Sequence, residues 1–281
     1  MLGQRVITAV LLLVVLLPAL FHPSATPLTA LAIVFIAAGA WEWARLVGFG
    51  GAAALAWAAL CAAACGIAWG AGLVAWSAGW FWATMGAVWV LGGAWMLHGG
   101  VGRWGRLPRL LRIGVGLVLL FAAWLALAQA RRDGVNFVLS ILALVWAADI
   151  AAYCAGRAWG GRVVAARLAP GISPGKTWEG VWGAMLGVVL LALLWQWADG
   201  QLQAASSSLY TRLFEGGRWF MLLPLLWLVA MSVVGDLVES LLKRSASVKD
   251  SSALLPGHGG VLDRIDALLP TLPLAMLLVA A

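Results

Sequence analysis

A polar segment near the C-terminus concentrates side chains that are capable of chemistry. The sequence has 18 Lys and Arg and 11 Asp and Glu among 281 residues. Nine of these charged residues fall in one stretch between two apolar runs: Asp236, Glu239, Lys243, Arg244, Lys249, Asp250, Asp263, Arg264 and Asp266. Ionisable groups beside the hydrocarbon of a membrane are costly, so this concentration indicates a functional site.

The first part of this segment predicts a helix with one reactive face. Asp236, Glu239, Ser240 and Lys243 are spaced i, i+3, i+4 and i+7, so their side chains share one side of a helix. Two carboxylates followed by cations suit a hard divalent metal such as Mg²⁺ with a phosphate beside it. The alternative is an interfacial ladder of ion pairs in which Lys243 and Arg244 extend towards water.

The loop that follows is rich in glycine. Its sequence is Pro256-Gly257-His258-Gly259-Gly260, and such a backbone can approach a ligand closely and form a nest of N–H groups for an anion. Asp263 could complete a metal site with Asp236, and Arg264 offers a planar fork for a phosphate. His258 either contacts phosphate or makes a structural hydrogen bond.

A second polar segment runs from Gly171 to Glu179. A P-loop needs four residues between its first glycine and the Gly-Lys pair, and only three separate Gly171 from Gly175, so we reject that interpretation. Ser173, Lys176 and Thr177 instead predict an anion site at a helix N-terminus, where Glu179 would also favour the helix dipole.

Two acidic residues lie inside apolar runs. An intramembrane carboxylate such as Asp149 is uncommon enough to suggest function, with Tyr153 and Gly156 at i+4 and i+7. A hydrogen bond between packed helices is the alternative for Asp149. Glu42 is followed by Arg45 at i+3, and we interpret it as one half of an interfacial ion pair.

The composition shows what kind of chain must position these residues. Hydrophobic residues make up 64% of the sequence and charged residues 10%, which is typical of a polytopic membrane protein. The net charge of +7 could suggest nucleic-acid binding, but the basic residues are scattered through short loops, so we predict no nucleic-acid partner. We interpret the first apolar run as a retained helix, because it has no clear cleavage site.

We therefore predict an all-α membrane bundle with about nine transmembrane helices. A span needs roughly 20 apolar residues, which places helices at about 6 to 21, 27 to 47, 52 to 70, 73 to 97, 113 to 130, 135 to 155, 179 to 198, 219 to 239 and 265 to 281. We treat 1–281 as one domain, with N-terminal spans in 1–134 and catalytic spans and loops in 135–281. The third and fourth helices would be joined only by Ala71 and Gly72.

The distribution of Lys and Arg orients this bundle. With the N-terminus inside, 14 of the 18 basic residues fall on the inner side, as the positive-inside rule requires. The four on the outer side are Arg131, Arg132, Arg212 and Arg218. Both polar loops, 156–178 and 240–264, then face the cytoplasm.

The C-terminal half resembles a known family of enzymes, the phosphatidate cytidylyltransferases or CDP-diacylglycerol synthases. The residues that carry the resemblance are Ser240-x-x-Lys243-Arg244-x4-Lys249-Asp250-x5-Pro256-Gly257-His258-Gly259-Gly260-x-x-Asp263-Arg264-x-Asp266. The similarity extends upstream through Gly235-Asp236-Leu237, Ser173-Pro174 with Lys176-Thr177, and Asp149 with Ala152-Tyr153 and Gly156. It covers about 149 to 266, whereas the N-terminal spans match only as generic apolar helices.

The resemblance implies that the bundle holds a polar cavity that faces the cytoplasm, and it implies a reaction and roles for residues. CTP and phosphatidate would give CDP-diacylglycerol and pyrophosphate, with Mg²⁺ as cofactor and room for a second cation. The chain would lie in the inner membrane among lipids, and a homodimer is a further expectation. The implied metal ligands are Asp236 and Asp263 with Glu239 beside them; the phosphate-binding cations are Lys176, Lys243, Arg244, Lys249 and Arg264; the supporting carboxylates are Asp149, Asp250 and Asp266; the other substrate contacts are Tyr153, Ser173, Thr177, Ser240, His258, Gly259 and Gly260.

Two departures and two alternatives accompany this expectation. Gly175 stands where the family usually has a second Lys, and Val233 where a Gln commonly precedes Gly-Asp. A CTP-dependent lipid kinase would need a base near its alcohol substrate, and Asp149 or Asp266 could serve. An anion or lipid transporter would be expected to show repeated halves with broken helices, which the sequence does not show.

Overall fold

The chain folds into a bundle of helices with one short hairpin. The structure is a computed structural model that describes residues 2–76, 79–215 and 217–280, without the side chains of residues 2 and 218–221. The helices are α1 (Leu2–Phe21), α2 (Thr26–Val47), α3 (Gly51–Gly70), α4 (Gly79–Ala87), α5 (Gly93–Arg106), α6 (Arg109–Asp133), α7 (Val135–Trp159), α8 (Trp178–Leu202), α9 (Leu209–Glu215), α10 (Arg218–Ser245), α11 (Leu262–Ile265) and α12 (Leu268–Ala280). Strands β1 (Arg167–Ala169) and β2 (Ser173–Thr177) pair antiparallel.

Eight stretches of helix within the described residues are long and apolar enough to cross a membrane. They are Gly3–Phe21, Thr26–Val47, Gly51–Gly70, Gly79–Arg106, Arg109–Asp133, Val135–Trp159, Trp178–Leu202 and Leu222–Ser245. Their length and composition confirm the predicted all-α membrane bundle. The chain is an integral membrane protein.

The predicted ninth span, 265–281, takes a different form. Helix α12 has 13 residues, which at 1.5 Å per residue is about 20 Å, shorter than the hydrocarbon core of a bilayer. Eight of its residues, 269–276, are buried inside the bundle. A short apolar helix can be a core helix as well as part of a span, and hydropathy alone does not separate the two.

The fourth span also differs in detail from its prediction. After α3 the chain forms a 3₁₀ turn at Leu73–Ala75, so the connection to α4 is longer than the two residues expected. A π-helical turn at Val88–Gly92 joins α4 to α5, and Gly100 breaks the regular backbone of α5 with φ of 64°. Such interruptions bend a helix.

Contacts between distant residues define two ends of the bundle. At one end Arg131 donates to the carbonyls of Leu20, at 3.0 Å, and His22, and Arg132 donates to that of Val74 at 2.8 Å. These arginines are the ones that the sequence placed outside, together with Arg212; the side chain of Arg218 lies outside the described residues. The opposite end holds the glycine-rich loop, where Pro256 accepts a hydrogen bond from Thr8 of α1 at 2.8 Å.

Helices α7 and α8 pack closely because their contact faces carry small residues. A Cβ atom at Gly183 would overlap Ala155 and lie 3.0 Å from the carbonyl oxygen of Ala151, and one at Gly187 would lie 2.6 Å from the Cβ of Ala151. Small residues four apart allow membrane helices to approach in this way. The contact fixes Asp149 on α7 relative to the N-terminus of α8, where β2 ends.

Candidate active site

A polar cavity of about 470 Å³ opens between α7, β2, α8 and α10. Asp149 and Tyr153 line it from α7, Lys176 from β2 and Asp236 from α10. The Nζ atom of Lys176 lies 2.5 Å from Oδ2 of Asp236. We call Asp149, Lys176 and Asp236 the cavity cluster; it joins segments that the sequence separates by nearly 90 residues.

A second group of charges lies one turn further along α10. Lys243 contacts Oε2 of Glu239 at 2.5 Å and Oδ1 of Asp263 at 2.6 Å. Ser240 donates to Oδ1 of Asp236 at 3.3 Å, so the predicted shared face of α10 carries contacts along its whole length. We call Glu239, Lys243 and Asp263 the loop cluster.

Asp263 is the most heavily bonded carboxylate of the loop cluster. Its Oδ2 accepts hydrogen bonds from Ser251 N at 3.0 Å, Ser251 Oγ at 2.8 Å and Gly260 N at 2.7 Å. Burial alone would raise the pKa of Asp263, but the hydrogen bonds from Lys243, Gly260 and Ser251 lower it to about 2. Asp263 is therefore negatively charged at neutral pH.

Asp266 follows the end of α11 and interacts electrostatically with the cavity cluster. Burial raises the pKa of Asp266, and the negative charges of Asp236 and Asp149 raise it further, while the hydrogen bond from Ala267 N and the charge of Lys176 oppose the rise. Asp266, which lies between α11 and α12, is therefore coupled electrostatically to carboxylates of α7 and α10.

The glycine-rich loop is held in a tight turn. Leu255 and Gly259 pair as an isolated antiparallel bridge, and Gly259 has a φ of 80°, which side-chain-bearing residues rarely adopt. Arg264 donates to the carbonyl oxygen of His258 from Nε at 3.0 Å and Nη2 at 2.6 Å. The planar fork that was predicted to bind phosphate therefore also braces the loop.

The remaining predicted residues surround these clusters. Lys249 and Asp250 are exposed on the loop after α10, and Ser173 is half-buried in β2. Arg244 donates to the carbonyl oxygen of Ile172 at 3.3 Å, and Tyr153 accepts a hydrogen bond from Arg157 at 2.9 Å.

Thr177 and Glu179 make local structural contacts. The side chain of Thr177 is buried and accepts a hydrogen bond from Gly180 N at 3.1 Å, which makes it the N-cap of α8. Glu179 accepts hydrogen bonds from the backbone of Gly161, Val163 and Val164. The predicted helix N-terminus is thus present, and Thr177 is part of its construction.

Our interpretation of Glu42 as an interfacial ion pair is wrong. Glu42 is fully buried, and its carboxylate accepts hydrogen bonds from the serines and the backbone of the segment between α10 and α11. Arg45 instead lies over the ring of Trp41, 4.6 Å from its centroid. Spacing along one helix could not reveal this, because the partners of Glu42 come from another part of the chain; its only sequence signal was a carboxylate inside an apolar run.

The carboxylates can be compared with what Mg²⁺ requires. Within the described residues no three His, Cys, Asp or Glu side chains are grouped as a metal cage. Mg²⁺ usually needs only one or two carboxylates together with water and substrate phosphates, and Asp236 and Asp263 supply oxygens of the right chemical type. Each of them pairs with a lysine, Lys176 or Lys243, so a metal ion at either carboxylate would have to displace that ammonium group.

Comparison with known proteins identifies the family of this chain. A model of the cytidylyltransferase family matches residues 3–281. The chain belongs to the cytidylyltransferase family. It is therefore a nucleotidyltransferase, and the match includes the N-terminal helices, which the sequence motif did not reach.

Curated members of the family extend the comparison. A phosphatidate cytidylyltransferase of Pseudomonas aeruginosa is 39% identical over 100% of this chain and 98% of its own length. A second, from Haemophilus influenzae, is 45% identical over 50% of this chain and 44% of its own length. A third, from Staphylococcus epidermidis, is 35% identical over 59% of this chain and 55% of its own length.

Proposed function

We propose that this cytidylyltransferase couples CTP to phosphatidate and releases pyrophosphate, which makes CDP-diacylglycerol for phospholipid synthesis. The observation that carries the proposal is the cavity cluster beside the loop cluster, at one end of a bundle of membrane helices. Lysines and carboxylates from α7, β2, α10 and α11 meet there, where a nucleotide from the aqueous phase and a lipid from the bilayer can reach the same atoms. The full-length relative that bears this activity in its name supports the proposal.

The reaction needs charge neutralisation more than it needs a base. An oxygen of the lipid phosphate forms a bond to the α-phosphorus of CTP, and the bond from that phosphorus to the β-phosphate oxygen breaks. The attacking phosphate is already anionic at neutral pH, so no side chain has to remove a proton. The obstacle is repulsion between two anions, which fixed cations reduce.

The cations of the site are placed for that task. Lys176 stands on the cavity, Lys243 lies between Glu239 and Asp263, and Arg264 borders the glycine-rich loop. We assign these three to the phosphates of CTP, phosphatidate and departing pyrophosphate, with Arg244 and Lys249 at the entrance. Arg264 keeps one guanidinium nitrogen, Nη1, outside its contact with His258.

We propose Mg²⁺ as the cofactor, held by Asp236 and Asp263. When bound it would neutralise charge on the nucleotide phosphates. Neighbouring residues would orient the two carboxylates. Ser240 donates to Asp236, and Ser251 and Gly260 donate to Asp263. These donors fix the direction of each carboxylate, and Mg²⁺ would take the place that Lys176 or Lys243 occupies beside it.

An apolar cavity of about 300 Å³ supports a lipid substrate. It runs between α1, α2, α6, α7 and α12, and Leu16, Ile36, Trp124 and Leu142 are among its lining residues. The charged residue that lines it is Arg264. We propose that an acyl chain lies in this cavity, because a cation at the edge of an apolar surface suits an anionic lipid.

The same proposal fixes location and orientation. We place the protein in the cytoplasmic membrane with its N-terminus and active site inside, where CTP is available. The asymmetry of Lys and Arg supports this orientation, and the arginines assigned to the outer side meet at the end of the bundle away from the glycine-rich loop. A homodimer stays a prediction.

The test uses purified protein in detergent with phosphatidate, Mg²⁺ and CTP labelled at either the α- or the γ-phosphate. We expect the α-label to enter the lipid and the γ-label to leave in pyrophosphate. Transfer of the γ-label to a polyprenol, in a parallel reaction, would instead identify a lipid kinase. If neither label moved, the proposed function would be refuted.

A further inference from the structure

We propose that Glu42 is a positioning residue for cytidylyl transfer, and that it acts by holding the loop that carries Asp263. The inference rests on the proposed function for its kinetic consequences. It concerns a residue of α2, within the N-terminal spans, which the motif residues of the C-terminal half do not include.

Glu42 is enclosed by the protein and bonded to the loop between α10 and α11. The side chain is 0% exposed. Oε1 accepts hydrogen bonds from Ser252 Oγ at 2.5 Å and Val261 N at 2.9 Å, and Oε2 accepts from Ser251 Oγ at 3.2 Å and Leu262 N at 2.6 Å. A buried carboxylate persists only when its oxygens are well satisfied. Ser252 Oγ, Val261 N and Leu262 N satisfy both oxygens, and the one proton of the Ser251 hydroxyl is shared between Glu42 and Asp263.

The donors divide between two carboxylates in a regular way. Gly260 N bonds to Asp263, whereas the next two amides, those of Val261 and Leu262, bond to Glu42. The hydroxyl of Ser251 lies within hydrogen-bond distance of both, at 2.8 Å from Asp263 and 3.2 Å from Glu42. The position of Glu42 therefore determines where the first turn of α11 and the carboxylate of Asp263 can lie.

The absence of a side chain at Gly260 makes this contact possible. A Cβ atom there would overlap both Ser251 Oγ and Oε1 of Glu42. The glycine lets the loop backbone come close enough for successive amides to reach two different carboxylates.

The helix that carries Glu42 is itself firmly placed. Trp43, next in sequence, is buried and donates from Nε1 to the carbonyl oxygen of Arg112 on α6 at 3.1 Å. Trp124 of α6 donates to the carbonyl oxygen of Thr29 on α2 at 3.2 Å. Because α2 is held in place by α6, the hydrogen bonds of Glu42 restrict the motion of the loop. Without them the loop would be held mainly through its connection to α10.

Glu42 acts at a distance from the substrate. It lies outside the lining of the polar cavity and of the apolar cavity beside Arg264. Its effect must pass through Ser251, Gly260 and α11 to Asp263 and Lys243. A shift of about 1 Å in such a group can lower turnover about 100-fold.

The test compares Glu42→Gln with Glu42→Asp, Ser251→Ala and a matched control. Asp199→Asn is the control, because Asp199 also accepts hydrogen bonds from several side chains, Asn136 and Thr211 among them, but lies at the opposite end of the bundle. We expect Glu42→Gln to lower kcat about 100-fold with little change in KM, and Asp199→Asn to leave kcat unchanged. Glu42→Asp, which keeps the charge, should recover part of the loss.

Two further measurements separate positioning from folding. Amide exchange at Val261 and Leu262 should become faster in Glu42→Gln, while exchange in α7 and α8 stays as in the wild type. The kcat losses of Glu42→Gln and Ser251→Ala should not multiply in the double variant, because both act on Asp263. Wild-type kcat in Glu42→Gln, unchanged exchange at the two amides, or fully multiplicative losses would each overturn the inference.

Failure of the inference about Glu42 can be told apart from failure of the proposed function. If the wild-type protein transferred no α-label to phosphatidate, the proposed function would fail by itself. The exchange measurement needs no turnover, so it would still decide whether Glu42 holds the loop.

Discussion

At the scale of single residues, two lysines of the site pair with different carboxylates. Lys176 pairs with Asp236 at the cavity, and Lys243 lies in contact with both Glu239 and Asp263 beneath the glycine-rich loop. The pair of Lys243 and Asp263 is the more buried of the two, so removing one of its partners leaves an uncompensated charge inside the protein. Each residue therefore affects both the local structure and the field that the phosphates experience.

Replacing Lys176 by Met should remove a phosphate-binding cation while keeping most of the side-chain volume. We expect kcat/KM for cytidylyl transfer to fall about 100-fold, as for the loss of one fixed electrostatic donor. Arg212→Met is the matched control, because Arg212 pairs with Asp133 at 2.8 Å at the other end of the bundle. Equal losses in both variants would show that the effect is one of folding.

Asp263→Asn should abolish turnover and leave the protein folded. The substitution removes the negative charge that Lys243 and the proposed Mg²⁺ both require, while the amide oxygen can still accept from Gly260 and Ser251. Transfer of α-label measures the activity, and thermal unfolding in detergent measures the fold. Normal activity in this variant would remove Asp263 from the mechanism.

At the scale of elements, short connections place the reactive residues more than the long helices do. β2 ends at the N-cap of α8, so Lys176 projects one residue before Thr177 into the cavity. The turn at Gly259 and the first turn of α11 present Asp263 to Lys243. The close contact between α7 and α8 supplies the opposite wall.

The capping role of Thr177 yields a prediction that separates structure from substrate binding. Thr177→Ala should lower the free energy of unfolding by about 1 kcal/mol, the usual cost of losing an N-cap, whereas Thr177→Ser should retain it. Denaturation of both variants in the same detergent measures this difference. A large rise in KM for CTP in Thr177→Ala, measured where that variant is still folded, would show a direct substrate contact of the hydroxyl as well.

At the scale of the whole molecule, residues of the N-terminal and C-terminal spans line one cavity and contact one loop. Residues of α1, α2, α6, α7 and α12 together line the apolar cavity that Arg264 borders. Glu42 from α2 holds the loop before α11. The boundary at about residue 134 marks where the C-terminal motif region begins. Residues from both sides of this boundary contribute to the site.

The proposed acyl-chain cavity can be tested by filling it. Leu16→Trp should raise KM for long-chain phosphatidate about tenfold relative to a short-chain substrate, because the ring takes volume that the acyl chain needs. Leu186→Trp is the control, since Leu186 is 62% exposed on α8 and does not line this cavity. An equal effect on both chain lengths would argue against an acyl chain in this cavity.

The family and most helices could be predicted from the sequence because both are encoded locally. Runs of about 20 apolar residues specify membrane helices regardless of their neighbours, and the ordered residues from Ser240 to Asp266 specify the chemistry by type and spacing. Helix α12 shows the limit of this reasoning. Its apolar run predicted a span, and the structure shows a helix of 13 residues, eight of which are buried inside the bundle.

Only the tertiary structure decided which partner each charged residue has. Sequence spacing paired Glu42 with Arg45, yet its carboxylate bonds to Ser251, 209 positions away. Likewise, Lys176 meets Asp236 through the packing of β2 against α10. A buried charge takes whatever donors the fold brings within hydrogen-bond distance, and helical periodicity describes only neighbours on the same helix.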